Sequence, residues 1–200
     1  MLSKGDVLAD KTDQELVELA KDDQEMFGAL MGRYQRPLFG YIKRISRLGN
    51  EDIEDLLQEI FVKAYLNLNA YDSSLKFSSW IYRISHNHVV DNFRKISARP
   101  KIVTSEDDDW MRIVRADVDL EKDLADRECA DKIKQTIDKM PLKYKEVLVL
   151  RFIEDKDYEE IMDILQKPKG TVATLIARGK KMIKEEINCK SRILNVLSFI

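Results

Sequence analysis

On either side of residues 96–126 the apolar side chains recur every three or four positions, and within that interval the period is lost. That spacing lines apolar groups along one face of a helix, whereas a half-buried strand alternates every second residue. The first periodic block opens at Thr12 or Asp13 as a cap and continues through Leu16, Leu19 and Ala20. A second start at Asp22 or Asp23 leads to Met26, Phe27, Leu30, Met31 and Tyr34, and Pro37 is expected to bend or restart the chain. A helix from near Glu51 carries Ile53, Leu56, Leu57, Ile60, Phe61 and Ala64. Another runs from about Phe77 to Lys95, with Phe77, Trp80, Ile81 and Ile84 on one side. The second block shows Ile133, Ile137 and Met140, a break at Pro141, then Val147, Leu148, Leu150 and Phe152. After another break come Ile161 and Leu165, and finally a run from Thr171, so four helices fit it. With only 7 Gly and 4 Pro in 200 residues, many short strands joined by tight turns are not expected.

The fold class that follows is all-α: two small helical domains joined by an acidic flexible linker, the second ending in a helix-turn-helix. The boundaries read as a first domain at 1–95, a linker at 96–126, a second domain at 127–188 and a tail at 189–200. Charge is segregated along the chain. Between Thr104 and Glu128 ten acidic residues face four basic ones, and between Gln166 and Lys190 seven basic residues face two acidic ones. A chain with one basic patch and an acidic middle can bind a polyanion at one place only.

Cys129 and Cys189 are too few and too far apart for a disulfide framework, which points to a reducing cytoplasm. No apolar run approaches the roughly 18 residues that span a bilayer, so membrane insertion is not expected. His86 and His88, two apart on a helix, point to different sides and cannot form a helical metal pair. Asp55 and Glu59 share a face as a solvated carboxylate pair. No nucleophile stands beside a base, so no catalytic residue, metal or cofactor is expected and the chain is not read as an enzyme.

The segment "QKPKGTVATLIARGKK", Gln166 to Lys181, has some of the look of a phosphate-binding loop. A Walker-type loop, however, needs a Lys directly before Ser or Thr and a preceding strand. Here Gly170 precedes Thr171, and "DYEEIMDIL" before it has helical period. A helix-turn-helix accounts for more residues. Asp157 or Tyr158 opens a short helix, Gln166 to Gly170 form the turn, and Thr171 caps a longer helix. In that helix Val172, Ile176, Gly179, Ile183 and Ile187 form the buried stripe, and Thr171, Thr174, Arg178 and Lys181 the opposite one. The second stripe is polar near the helix start and cationic later, as a helix in a major groove requires, and Ala173 and Ala177 on the outer side allow close approach.

"YEEIMDILQKPKGTVATLIARGKK" resembles the promoter-binding C-terminal domain of extracytoplasmic-function sigma factors, with Glu160, Ile161, Pro168, Gly170, Thr171, Val172 and Arg178 matching. "MPLKYKEVLVLRF" resembles the helix before it. "DIEDLLQEIFVKAY" and "FSSWIYRISHNHVVDNFRK" resemble the N-terminal domain of the same family. The family often has basic residues where this chain has Ala173 and Leu175.

The resemblance implies a protein that recruits RNA polymerase core through the largest-subunit coiled coil and the flap, recognises two promoter elements and opens promoter DNA. The first domain resembles sigma region 2 and the second region 4. For the upstream (−35) element the resemblance points to Lys169, Thr171, Thr174, Arg178 and Lys181. For the downstream (−10) element and melting it points to the loop Asn69 to Lys76 with Tyr71 at its centre, and to Trp80, Arg83 and Asn87 on the following helix. Trp80, on or beside the apolar stripe, reads equally as core or as a strand-separating side chain. Polymerase contacts fall on Leu56, Gln58, Glu59 and Val62, although Leu56 also fits the core. An anti-sigma factor is a further implied partner. Two other readings are a stand-alone helix-turn-helix regulator that binds operator DNA as a dimer and a nucleotide-dependent enzyme; the first would leave the N-terminal resemblance unexplained.

Overall fold

The computed structural model describes residues 11–46, 48–97 and 135–186, with the side chains of 95–97 left aside. The linker expected at 96–126, beyond its first two residues, and the tail at 189–200 fall outside the described residues. All regular structure among the described residues is helical. The chain divides into two compact units, one carrying the four N-terminal α-helices together with residues 162–166, the other built on the remaining helices of the C-terminal half.

Helix α1 spans Asp13–Asp22. Thr12 is its cap: Glu15 N donates to Thr12 Oγ1 at 3.3 Å, and Thr12 N donates to Glu15 Oε2 at 2.7 Å. This reciprocal capping box satisfies two amide donors that the first turn leaves unpaired. Helix α2, Gln24–Ile45, starts immediately after, with the Asp23 side chain accepting from Glu25 N. It runs unbroken through Pro37, contrary to the expected bend or restart. Proline cannot donate to the Arg33 carbonyl, but Pro37 is exposed, so water can take that acceptor. Directly after it, Leu38, Tyr41, Ile42 and Ile45 are buried and hold the helix on course.

Helix α3 spans Asn50–Leu66 and buries Ile53, Leu56, Leu57, Ile60, Phe61 and Ala64. A 3₁₀ turn at Leu68–Ala70 and a loop lead to α4, Phe77–Ser97. The loop is pinned from both sides: Ser74 N donates to Asp72 Oδ1 at 2.9 Å, and the Tyr71 hydroxyl donates to the Leu75 carbonyl. α2 packs on α1, α3 and α4, giving this unit a single apolar centre.

In the second unit, helical residues 135–139 precede α5, Leu142–Phe152. Val147, Leu148, Val149 and Leu150 are all buried on α5. Helix α6, Tyr158–Leu165, is capped by Asp157, whose Oδ1 accepts from Glu160 N at 2.8 Å while Glu160 Oε2 accepts from Asp157 N at 3.1 Å. Helix α7 spans Lys169–Glu186 and packs on α5. No helix among the described residues is long and apolar enough to cross a membrane.

Candidate nucleic-acid interface

Three residues, Gln166 to Pro168, join α6 to α7. Gln166 takes a left-handed backbone (φ 51°), which reverses the chain, and its side-chain amide donates back to the Asp163 carbonyl at 2.6 Å. Thr171 is not the cap expected from the sequence. The Pro168 carbonyl accepts from Thr171 N at 2.9 Å and from Val172 N at 3.1 Å, so α7 begins two residues earlier. Proline can stand there because a residue at the helix entrance has no intrahelical acceptor to lose.

α7 is divided lengthwise. Val172, Leu175, Ile176, Gly179 and Ile183 are buried, and Thr171, Ala173, Thr174, Ala177, Arg178 and Lys181 are exposed. Leu175, at a position where the resemblance suggested an outward basic residue, belongs to the buried side. Ile187 of the expected stripe lies outside the described residues. Lys169 and Thr171 stand in the first turn, where free amides and the helix dipole favour an anion. Thr174 Oγ1 donates to the Gly170 carbonyl at 2.7 Å, and Lys181 lies 3.6 Å from Glu185 in an exposed pair. The arrangement presents two hydroxyls and then two cations along one side of a helix with its other side locked in the interior. It can bind a polyanion and read an edge.

The N-terminal unit places its candidates in two settings. Asn69, Lys76 and Asn87 are exposed and Arg83 is partly buried, whereas Tyr71 and Trp80 are each only 6% exposed. Tyr71 packs against Trp80 and Phe77 with ring centroids 5.3 and 5.7 Å apart, and Phe77 meets Tyr34 at 5.4 Å. Trp80 therefore takes the core side of its two sequence readings. Each ring pair adds about 0.5–1.5 kcal/mol beyond area burial, so this cluster stiffens the base of the loop. Burial raises the Tyr71 and Tyr34 phenols above the ordinary tyrosine range, and Asp13 adds to both. The Ser74 backbone amide holds Asp72 below the usual carboxylate range.

On α3, Gln58, Glu59 and Val62 are exposed, with Val62 at 59% and Leu66 beyond it at 74%. Leu56, expected among them, is buried. Glu59 Oε2 lies 2.7 Å from His88 Nε2 on α4, at the wall of a groove of about 690 Å³ also lined by Asp52, Asp55, Lys63 and Asp91. The His88 contact escaped sequence reasoning because it spans 29 residues and no local pattern signals it.

The Sigma-70 region 2 family matches residues 30–99, and the Sigma-70, region 4 family matches residues 130–183. The ECF RNA polymerase sigma factor SigW of Bacillus subtilis is 33% identical over 178 residues, covering 85% of this chain and 93% of that protein. The ECF RNA polymerase sigma-E factor of Haemophilus influenzae is 33% identical over 183 residues, covering 88% and 95%. In three dimensions the chain is similar to CnrH, solved in complex with the cytosolic domain of CnrY, with TM-score 0.64, 22% identity and coverage of 90% of this chain and 99% of that one. It is also similar to the sigma factor RpoE, solved with the anti-sigma factor NepR from Bartonella quintana, with TM-score 0.63, 16% identity and coverage of 82% and 98%. At those identities the structural likeness supports the fold, and the curated relatives carry the assignment. A stand-alone operator-binding regulator would leave the region 2 match without a purpose. The chain belongs to the extracytoplasmic-function sigma factors of the sigma-70 family, alternative sigma factors that direct transcription initiation.

Proposed function

We propose that α7 reads the upstream promoter element, that the loop 69–76 and α4 engage and open the downstream element, and that the exposed side of α3 docks on the coiled coil of the largest polymerase subunit. The observation that carries this reading is the division of α7 into a locked apolar side and an outer side of Thr171, Thr174, Arg178 and Lys181. Lys169 joins them at the helix entrance. On α3 the docking set is Gln58, Glu59 and Val62, an exposed polar and apolar mixture suited to a transient partner. For the downstream element, Asn69, Lys76 and Asn87 supply exposed polar groups and the partly buried Arg83 a guanidinium paired with Asp163 at 2.6 Å, with Tyr71 and Trp80 as the stiff aromatic floor beneath them.

The protein works by binding alone, without a cofactor or a reaction of its own, in the cytoplasm. An anti-sigma factor is its regulator, a reading supported by the structural neighbours solved with such partners. The test is transcription by polymerase core on a randomised promoter library, with and without the purified chain. Start sites that depend on the chain and share two separated sequence elements support the proposal; start sites unaffected by it, or operator binding without core, would refute it.

A further inference from the structure

Lys167 lies in the turn that leads into α7, where a cation would ordinarily be assigned to a DNA phosphate. Its Nζ instead donates to Glu146 Oε1 on α5 at 3.1 Å. The Glu146 side chain is 5% exposed and the Lys167 side chain 30%. Glu146 is followed along α5 by the buried Val147, Leu148 and Val149. A carboxylate so placed loses its hydration on folding and needs a fixed cation to remain ionised. Burial raises the Glu146 carboxyl above the usual glutamate range, and Lys167 pulls it back toward ionisation.

α7 has a second anchor on the same helix. A Cβ added at Gly179 would stand 2.9 Å from Leu148 Cδ1, so the two helices touch with no room for a methyl group. The contact at Gly179 fixes the middle of α7. The Lys167–Glu146 pair holds the turn ahead of its first residue. The pair thus adds a fixed point ahead of the helix to the packing that already holds its apolar side.

We infer that Lys167 is a positioning residue, whose ion pair with Glu146 ties the helix-turn-helix turn to α5 and sets the entry angle of α7, and that it makes no phosphate contact. This rests on α7 being the DNA reader. The discriminating quantity is salt dependence, since each phosphate contact contributes about 0.9 to the log–log slope of affinity against salt on duplex DNA. A residue that only positions the helix changes affinity and leaves that slope alone.

The experiment uses polymerase core bound to the full chain, and a promoter fragment selected from a random library by the wild-type complex. Affinity is measured across a salt series for Lys167→Met, Lys167→Arg and the double variant Glu146→Leu with Lys167→Met. The single Met variant should bind roughly tenfold more weakly with an unchanged slope, a loss equivalent to about 1.4 kcal/mol. Lys167→Arg should recover most of the affinity. The double variant, which exchanges the buried ion pair for an apolar one, should also recover it, and thermal melting of each variant reports whether the unit is folded. A folded double variant whose slope falls by about 0.9 would overturn the inference, because Lys167 would then be a phosphate contact. An unchanged affinity in Lys167→Met would also overturn it. Arg178→Ala serves as the separate control: if its affinity and slope match wild type, α7 is not the reader, and the failure lies with that reading and not with Lys167.

Discussion

Gly179 of α7 and Leu148 of α5 meet so closely that a single added carbon at the glycine would fall within 3.1 Å of Leu148 Cγ as well as 2.9 Å of its Cδ1. Because the branch point is involved, turning one methyl group aside does not make room. Gly179→Ala gains about 1 kcal/mol of helix propensity and loses about 1–3 kcal/mol to overpacking. The variant should therefore be less stable by about 1 kcal/mol in denaturant melts. Combined with Leu148→Ala it should cost less than the two changes summed, because the smaller partner accommodates the methyl.

The exposed side of α7, proposed to face DNA, makes a graded prediction. Arg178→Ala should weaken binding of the polymerase complex to its promoter and lower the log–log salt slope by about 0.9. Lys181→Ala should do the same by a smaller amount, because Glu185 stands 3.6 Å from the lysine and already neutralises part of its charge. Affinity titrations at several salt concentrations measure both.

Charge reversal at Glu59 should reduce binding to polymerase core while leaving helical content unchanged. An exposed carboxylate usually alters stability by no more than about 0.5 kcal/mol, so lost core binding with the helical signal intact reports docking. The change also removes the partner of His88. Competition with the wild-type chain for limiting core, alongside circular dichroism, separates the two effects.

Glu146 gives a pH dependence of uncommon sign. Its folded-state pKa is raised, by burial first, with Lys167 opposing. The neutral form is thus favoured by folding, and the stability this group contributes is complete below the ordinary glutamate range and is lost as pH rises through the raised value. Wild type should lose stability relative to Glu146→Gln as pH climbs from the ordinary glutamate range toward neutrality. Lys167→Met should make the loss steeper, since the opposing cation is gone. Urea melts of the three proteins across that range measure it.

At Gln166 the backbone carries a positive φ of 51°. A β-branched residue there is strained, so Gln166→Val should destabilise the fold by about 1–2 kcal/mol. Gln166→Gly should stay within about 0.5 kcal/mol of wild type, since relief at φ is offset by a floppier unfolded chain and the lost bond to Asp163. Melting of both variants tests the pair.

What the sequence made legible was chiefly local. The caps at Thr12, Asp23 and Asp157 rest on interactions two or three residues long, and each stands where a short polar side chain precedes an apolar period. The outer face of α7 follows from the same period. Pro37 misled because a local rule for breaking helices competes with burial of Leu38, Tyr41, Ile42 and Ile45, and burial prevails. Thr171 misled because Pro168 supplies the first carbonyl of α7 without any side-chain cap. Leu56, Tyr71 and Trp80 show the same limit from another side: periodicity marks them as apolar, but how deeply each is covered depends on partners far along the chain. Glu146 with Lys167, and Glu59 with His88, lie 21 and 29 residues apart and became visible only once the helices were packed.

The lengthwise division of α7 also separates two kinds of position. Its inward side is bound to α5 through Gly179 and Leu148, whereas Thr171, Ala173, Thr174, Ala177, Arg178 and Lys181 face solvent. Substitutions along the outer row are of the kind that usually moves stability by less than about 0.5 kcal/mol. With that row as the proposed promoter reader, descendants of this chain could be recoded for a different promoter letter by letter, each intermediate still folded, while the rotation at which the row is presented stays inherited from a buried glycine on the opposite side.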